Sequence, residues 1–240
     1  MVVASLLQFT PLQASQAAIA IAEFIRTLAP PTVGNLATVS AGHTACEGLL
    51  AQIQSINPPA AFPWQRANLL GLLMQSYEAT AGLISNSLVA LTEQQLWPTL
   101  RADPRLCLPL VAEVVRYDAP VQNTRRFIHA DCEIAGIALP AGSTVLLLLA
   151  AAGRDESVYP QPEQFRLDRP AQVNLTFSSG THKCPGQQLA LQISAVAIEF
   201  LLLQTLPPLQ WRYRPSLNGR LCWFFNDLDT SSSTTTGVTP

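Results

Sequence analysis

Residues 177–186 read FSSGTHKCPG, and the apolar run QQLALQISAVAIEFLLL follows at once from Gln187. Cys184 is bracketed by Gly180 and Gly186, with Phe177 seven positions ahead and a helix expected directly behind. A thiolate on a loop at a helix N-terminus is stabilised by the helix dipole and by unbonded backbone N–H groups. That setting suits a metal ligand or a reactive thiol, and the decamer by itself leaves both open.

Composition narrows the classes. The chain has 240 residues, of which 48% are hydrophobic and 12% charged, enough for a sizeable core in one large domain or two small ones. A net charge of −2 without a basic stripe argues against nucleic-acid binding. Lys183, beside Cys184, is the one lysine against thirteen arginines. Five cysteines, at 46, 107, 132, 184 and 222, are widely spaced and form no CxxC pair. With no basic stretch after Met1, the expectation is a reducing cytosol rather than a disulfide framework or a zinc ribbon. The most apolar window, residues 67–91, carries Glu78 near its middle. A central acid costs roughly 2.5–3.5 kcal/mol on membrane-insertion scales, so a buried core helix is expected there and no membrane span.

Along the chain, residues 11–31 predict an amphipathic helix with Ala18, Ile21, Phe24 and Ile25 on one stripe, stopped by Pro30-Pro31. A second helix is expected over Ser40–Ile56, where His43 and Cys46 read as ordinary core or surface residues. A long helix follows from Pro63 to Glu93, then a helix from Leu106 to Tyr117 on which Glu113 and Arg116 share a face. From Val121 to Leu149 turn signals at Ala135-Gly136 and Pro140-Ala141-Gly142 separate short strands, a small sheet of hairpins. Residues 153–176 lack periodicity and read as a meandering loop. The helix from Gln187 to Leu203 offers Leu189, Ile193, Val196, Ala197 and Phe200 as an apolar face, and two closing strands come after Pro207-Pro208. The fold class is mainly α with a small β portion. A helical segment is expected at 1–60, a core at 61–229 and a disordered tail at 230–240.

Taken in order, these features resemble the cytochrome P-450 family. Phe177, Gly180, His182, Cys184 and Gly186 match its heme-thiolate signature. Upstream stand an acid-bearing central helix, E-x-x-R at Glu113 and Arg116, a sheet segment, and P-E-x-F at Pro162, Glu163 and Phe165. The resemblance implies the P-450 fold, heme b (iron protoporphyrin IX) as cofactor, and Cys184 as the iron ligand. An axial thiolate pushes electron density onto iron and favours O–O cleavage. It further implies that Phe177 screens the thiolate, that Gly180 and Gly186 let the backbone turn tightly, and that His182 and Arg126 meet heme propionates. Glu113 and Arg116 would lock the meander. The implied activity is monooxygenation, inserting one atom of O2 into an apolar small molecule. Electrons would come from a ferredoxin- or flavodoxin-type partner, in a cytoplasmic monomer.

Three positions depart from the family pattern. Aligned on Glu78, the central helix carries Ala79 where the family has an alcohol, and Thr80 lies one residue on. Glu78 and Thr80 are therefore the candidate proton-delivery residues, with delivery expected to be altered. Pro185 offers no N–H toward the sulfur, which predicts a more electron-rich thiolate and a lower heme potential. Gln164 stands where the meander offers an arginine to the Glu113–Arg116 pair, with Arg166 and Arg169 as substitutes. Met1 falls in the family's lid region, so the chain is expected to be the C-terminal portion of a longer protein, its N-terminal part missing. A peroxide-dependent heme-thiolate enzyme and a truncated, non-catalytic heme-binding remnant are the alternatives.

Overall fold

A computed structural model describes residues 9–28, 44–51, 64–170, 174–215 and 220–225. His43, the ends of the expected Ser40–Ile56 helix, the boundary at 60 and the tail from Thr230 lie outside the described residues. The chain divides into two compact units, Met1–Ala81 with Pro185–Ile193, and Gly82–Cys184 with Ser194–Pro240.

In the first unit, helix α1 spans Pro11–Leu28. Its start is written in the sequence Phe9-Thr10-Pro11-Leu12-Gln13-Ala14. The Thr10 N–H donates to Gln13 Oε1 at 2.9 Å and the Gln13 N–H donates to Thr10 Oγ1 at 3.3 Å, a reciprocal capping box. Pro11 occupies the first helical position, where a missing N–H costs nothing. Phe9 and Ala14 flank the cap and are buried with Ala17, Ile21, Leu49 and Leu73, against which Leu69, Leu70 and Met74 pack. Residues 44–51 form α2, and α3 spans Trp64–Glu93, contributing its part through Ala81 to this unit. The buried stripe of α1 lies on the expected side: Ile21 is buried together with Ala14 and Ala17, Ala18 and Phe24 are half-buried, and the Ile25 side chain lies outside the described ones.

In the second unit, α3 buries Leu83, Leu88, Val89 and Leu91. After the break at Gln94-Gln95 come α4 (Trp97–Ala102), a 3₁₀ turn (Pro104–Leu106) and α5 (Cys107–Tyr117), which buries Leu110, Val111, Val114 and Val115. Asp118 ends α5 and ties it to two other elements. Its carbonyl accepts from Asn86 Nδ2 at 2.9 Å and its carboxylate from Tyr213 Oη at 2.8 Å.

Among the described residues three antiparallel pairs supply the β portion. Strand β1 (Asn123–Phe127) pairs with β4 (Thr144–Leu148), and the hairpin β2 (Cys132–Ile134) and β3 (Ile137–Leu139) lies between them in sequence. Ala135 and Gly136, at φ 51° and 79°, make the two-residue hairpin turn whose hand matches strand twist. Strands β5 (Gln210–Pro215) and β6 (Arg220–Phe225) pair as expected. The apolar run behind β4 does not continue as a strand; Leu149–Ala152 turn into a short helix, α6.

Helix α7 spans Gln187–Leu202 and corrects one expectation. Val196 and Phe200 are each 61% exposed, while Ser194, Ala195, Ile198 and Leu202 are buried. The helix is apolar nearly all round, so packing partners, not its own pattern, select the face. Arg101 Nε donates to the Leu202 carbonyl at 3.2 Å, satisfying one of its unbonded C-terminal carbonyls.

Cys107, at the start of α5, is buried. Burial first, and the Glu199 carboxylate second, push its thiol up to about 11 from 9.0. The unfolded thiol ionises first, so this group favours the folded state below about pH 9 and opposes it increasingly toward about pH 11. The urea midpoint of the wild type should fall more between pH 8 and pH 10.5 than that of Cys107→Ala; equal falls would remove Cys107 from the account.

Candidate functional site

Glu113 and Arg116 lie one turn apart on α5, each 3% exposed at its side chain, and meet at 2.6 Å. A buried guanidinium must satisfy five N–H groups, and Arg116 satisfies them all. Its Nε donates to Glu113 Oε2 at 3.0 Å and its Nη2 to Glu113 Oε1 at 2.6 Å. The remaining three N–H groups go to the carbonyls of Gly153, Pro162 and Gln164, at 2.9, 2.8 and 3.1 Å. The residues of P-E-x-F are thus held to α5 through the backbone, as expected for a locked meander.

Arg169 is the third member. Its Nε donates to Glu113 Oε1 at 3.0 Å, and its two terminal nitrogens reach the carbonyls of Pro160, Gln161 and Gln164 at 2.7–2.8 Å. Arg166 contributes its backbone N–H to the same Glu113 oxygen at 2.9 Å, while its guanidinium pairs with Asp168. Gln164 takes part through its carbonyl, which any residue carries. Tyr117 and Tyr159 stand against the Arg116 guanidinium, 5.6 and 5.5 Å from its carbon to the ring centres. Arg154 lies over Tyr117 at 3.8 Å and pairs with Glu163, and Phe165 meets Tyr117 edge-on at 5.3 Å.

Sequence reasoning missed Gly153. A Cβ there would stand 2.4 Å from the Arg116 carbonyl oxygen, so only glycine permits this approach. Nothing local marks it, because its partner is 37 positions away.

The cysteine loop begins at Asn174, whose side chain accepts from the Thr176 N–H at 2.9 Å. A 3₁₀ turn covers Leu175–Phe177 and a second covers Gly180–His182. Thr176 Oγ1 donates to the Val115 carbonyl at 3.2 Å, joining the loop to α5. The Cys184 N–H donates to the Phe177 carbonyl at 2.8 Å, closing the loop on itself. Cys184 is a free, half-buried thiol three residues before α7.

Around it, Phe177 is half-buried and His182 exposed. Gly180 holds φ +65°, with no atom within 4 Å of a built Cβ, so its need for glycine is conformational. Gly186 is not among the described positive-φ glycines. Arg126 is exposed on β1, its Nη1 folded back onto Thr124 Oγ1 at 3.1 Å and the Arg125 carbonyl at 2.8 Å. In α3, Glu78, Ala79 and Thr80 are half-buried. Pro185 follows Cys184 without an N–H, so the backbone donor absent from the sequence is absent from the loop as well.

Among the described residues no three His, Cys, Asp or Glu side chains gather to hold a metal ion. A lone thiol on a fixed loop suits instead a metal that brings its own equatorial ligands, as iron in a porphyrin does. The cytochrome P450 family model matches residues 69–206, more than half of the chain, and spans α5, the meander and the cysteine loop. The chain belongs to the cytochrome P450 family.

It is similar to the biotin biosynthesis cytochrome P450 of Bacillus subtilis (strain 168), 39% identical over 60% of this chain and 38% of that protein. It is also similar to the 20-oxo-5-O-mycaminosyltylactone 23-monooxygenase of Streptomyces fradiae, at 38% identity over 60% of this chain and 34% of that one. Among solved structures, P450BioI in complex with a hexadec-9Z-enoic acid ligated acyl carrier protein has a TM-score of 0.75 and 29% identity, covering 93% of this chain and 64% of that one. CYP109Q5 from Chondromyces apiculatus has a TM-score of 0.73 and 27% identity, covering 93% and 61%. The chain thus spans under two-fifths of the length of these curated relatives and under two-thirds of these solved chains. The P450 fold, mainly α with small sheets, stands on these likenesses. Among the described residues no helix is long and apolar enough to cross a membrane.

Two substitutions test the lock. Gly153→Ala should lower stability by about 1–3 kcal/mol, the range for forced overpacking. Arg169→Gln, which removes charged hydrogen bonds to Glu113 and three carbonyls, should lower it by about 1.5–3 kcal/mol. Urea unfolding followed by circular dichroism reads both; a wild-type midpoint for Gly153→Ala would contradict the close approach.

Proposed function

We propose that this chain carries the heme-thiolate site of a P450 monooxygenase acting on an apolar small organic molecule. The observation that supports it most is Cys184, a free thiol on a loop closed by its own N–H and joined to α5 between Glu113 and Arg116. Heme b, when bound, supplies the oxygen activation that no amino-acid side chain can perform.

The chain's own residues take the following parts in this reading. Cys184 is the axial ligand as a thiolate. Phe177 shields its sulfur from water, and Gly180 gives the loop the left-handed turn it needs. His182 and Arg126 are the candidate propionate contacts; both are exposed, and Arg126 would exchange its local bonds to Thr124 Oγ1 and the Arg125 carbonyl for an anionic partner. Glu78 and Thr80 are the candidate groups for moving protons. Thr80 stands about 100° round the helix from Ala79, so a water chain rather than a direct alcohol donor is the expected route. Lys183 is exposed beside the ligand and is one cationic contact open to an acidic ferredoxin- or flavodoxin-type electron donor. The setting proposed is a cytoplasmic monomer.

A small organic substrate is in keeping with relatives named as a 20-oxo-5-O-mycaminosyltylactone 23-monooxygenase and, at 36% identity over 62% of this chain, as a beta-dihydromenaquinone-9 omega-hydroxylase of Mycobacterium bovis (strain ATCC BAA-935 / AF2122/97).

The test is spectroscopic. Expressed with heme supplied, the chain should give a ferrous–CO Soret band at the thiolate-ligated position, and Cys184→Ala should abolish it. Retention of that band by the alanine variant would exclude Cys184 as the ligand. Oxidation of a panel of apolar compounds with reduced ferredoxin, set against peroxide alone, then separates monooxygenase from peroxide-dependent chemistry.

A further inference from the structure

Ser178 holds φ +59° and ψ −178°, a conformation that glycine adopts readily and other L-residues only at a cost. It directly follows the two residues that fix the start of the cysteine loop. Two positions before it, Thr176 is bonded through its hydroxyl to the Val115 carbonyl at 3.2 Å. One position before it, the Phe177 carbonyl accepts the Cys184 N–H at 2.8 Å and closes the loop that Ser178 opens. The Ser178 N–H itself donates to the Leu175 carbonyl at 2.8 Å, closing the turn from which it departs.

A strained backbone persists only where its surroundings over-determine it. Within the turn, the Asn174 carboxamide orients the Thr176 N–H at 2.9 Å. These are short-range bonds and could form with the loop swung away from α5. The Thr176 hydroxyl reaches outside the loop, to a carbonyl in the last turn of α5, where helices leave C=O groups without an intrahelical partner. Val115 is buried and lies between Glu113 and Arg116, so its carbonyl belongs to the most firmly held part of the unit.

We infer that Thr176 is a positioning residue for the ligand cysteine. Its hydroxyl holds the Leu175–Phe177 turn on α5 against the strain at Ser178, and so presents the Phe177 carbonyl that fixes the Cys184 backbone. The inference rests on the reading of Cys184 as the heme ligand only for its consequence at iron. The tether itself is a property of the polypeptide.

A double-mutant cycle separates the two. Thr176→Val removes the hydroxyl at nearly constant shape, Thr176→Ser keeps it, and Ser178→Gly removes the strain that the hydroxyl opposes. Amide exchange at Cys184 is measured by NMR on the full chain, with and without heme. It should be at least tenfold faster in Thr176→Val and within threefold of wild type in Thr176→Ser. Thr176→Val combined with Ser178→Gly should recover at least half of that loss on a logarithmic scale. In heme-loaded protein, Thr176→Val should lower the share of the ferrous–CO band at the thiolate-ligated position, and the serine and double variants should restore it.

Wild-type exchange in Thr176→Val, a serine variant as fast as the valine one, or no recovery on adding Ser178→Gly would each overturn the inference. Failure of the wild-type chain to take up heme would instead sink the heme assignment, and the exchange rates would still decide the tether.

Discussion

The five N–H groups of one buried guanidinium constrain more of this structure than any other single feature. Arg116 is sealed from water, and each unmet donor there would cost the full desolvation of a charged group. Glu113 can take only two of the five, so three carbonyls must come from elsewhere. The chain supplies them from Gly153, Pro162 and Gln164, which obliges residues 153–164 to wrap the end of α5. A segment without regular periodicity thereby acquires a fixed path. Arg169 then satisfies Glu113 and returns to three carbonyls of the same segment. Glu113 and the two arginines are each a partner the others require.

Such a network is a weak source of net stability, because the desolvation of its charges offsets much of their attraction. Its value is geometric. Backbone carbonyls are held at hydrogen-bond distance by a planar fork that leaves little angular freedom. The same helix that carries Arg116 also carries the Val115 carbonyl that receives Thr176. Meander and cysteine loop are therefore both referenced to α5, the first through side-chain cations and the second through one hydroxyl. The axial ligand proposed at Cys184 would need this kind of support, since a site whose supporting groups are loose by an ångström loses function.

How much of this was legible in the sequence follows from the range of each interaction. The decamer around Cys184, the Glu113–Arg116 pair and the capped start of α1 are set by residues within a few positions of one another. The boundaries of α3 and α5 follow turn and proline signals of the same short range, and the structure places them within a residue of expectation. What the sequence withheld is what depends on partners far along the chain. Gly153 looks like any loop glycine until the Arg116 carbonyl is found against it. Arg169 and Arg166 were indistinguishable as candidates, and only the fold assigns the guanidinium of one and the backbone of the other to Glu113. The buried face of α7 differs from the expected one because that helix is apolar on more than one side.

Ser178 belongs to a different class of hidden feature. Nothing in the composition of FSSG marks its second residue as the one with a left-handed φ, since serine is ordinarily content in extended or helical backbone. The strain emerges from closure: Phe177 must direct its carbonyl at the Cys184 N–H while Thr176, one residue earlier, directs its hydroxyl at α5. With these two consecutive residues fixed, the backbone that leaves Phe177 has few dihedrals left to adjust. The deviation falls on the first residue past the turn. A glycine would adopt that conformation without strain but would leave the unfolded loop more freedom to lose on folding. A serine there makes the conformation depend on the anchors at Thr176 and Phe177 just before it, and the placement of Cys184 with it.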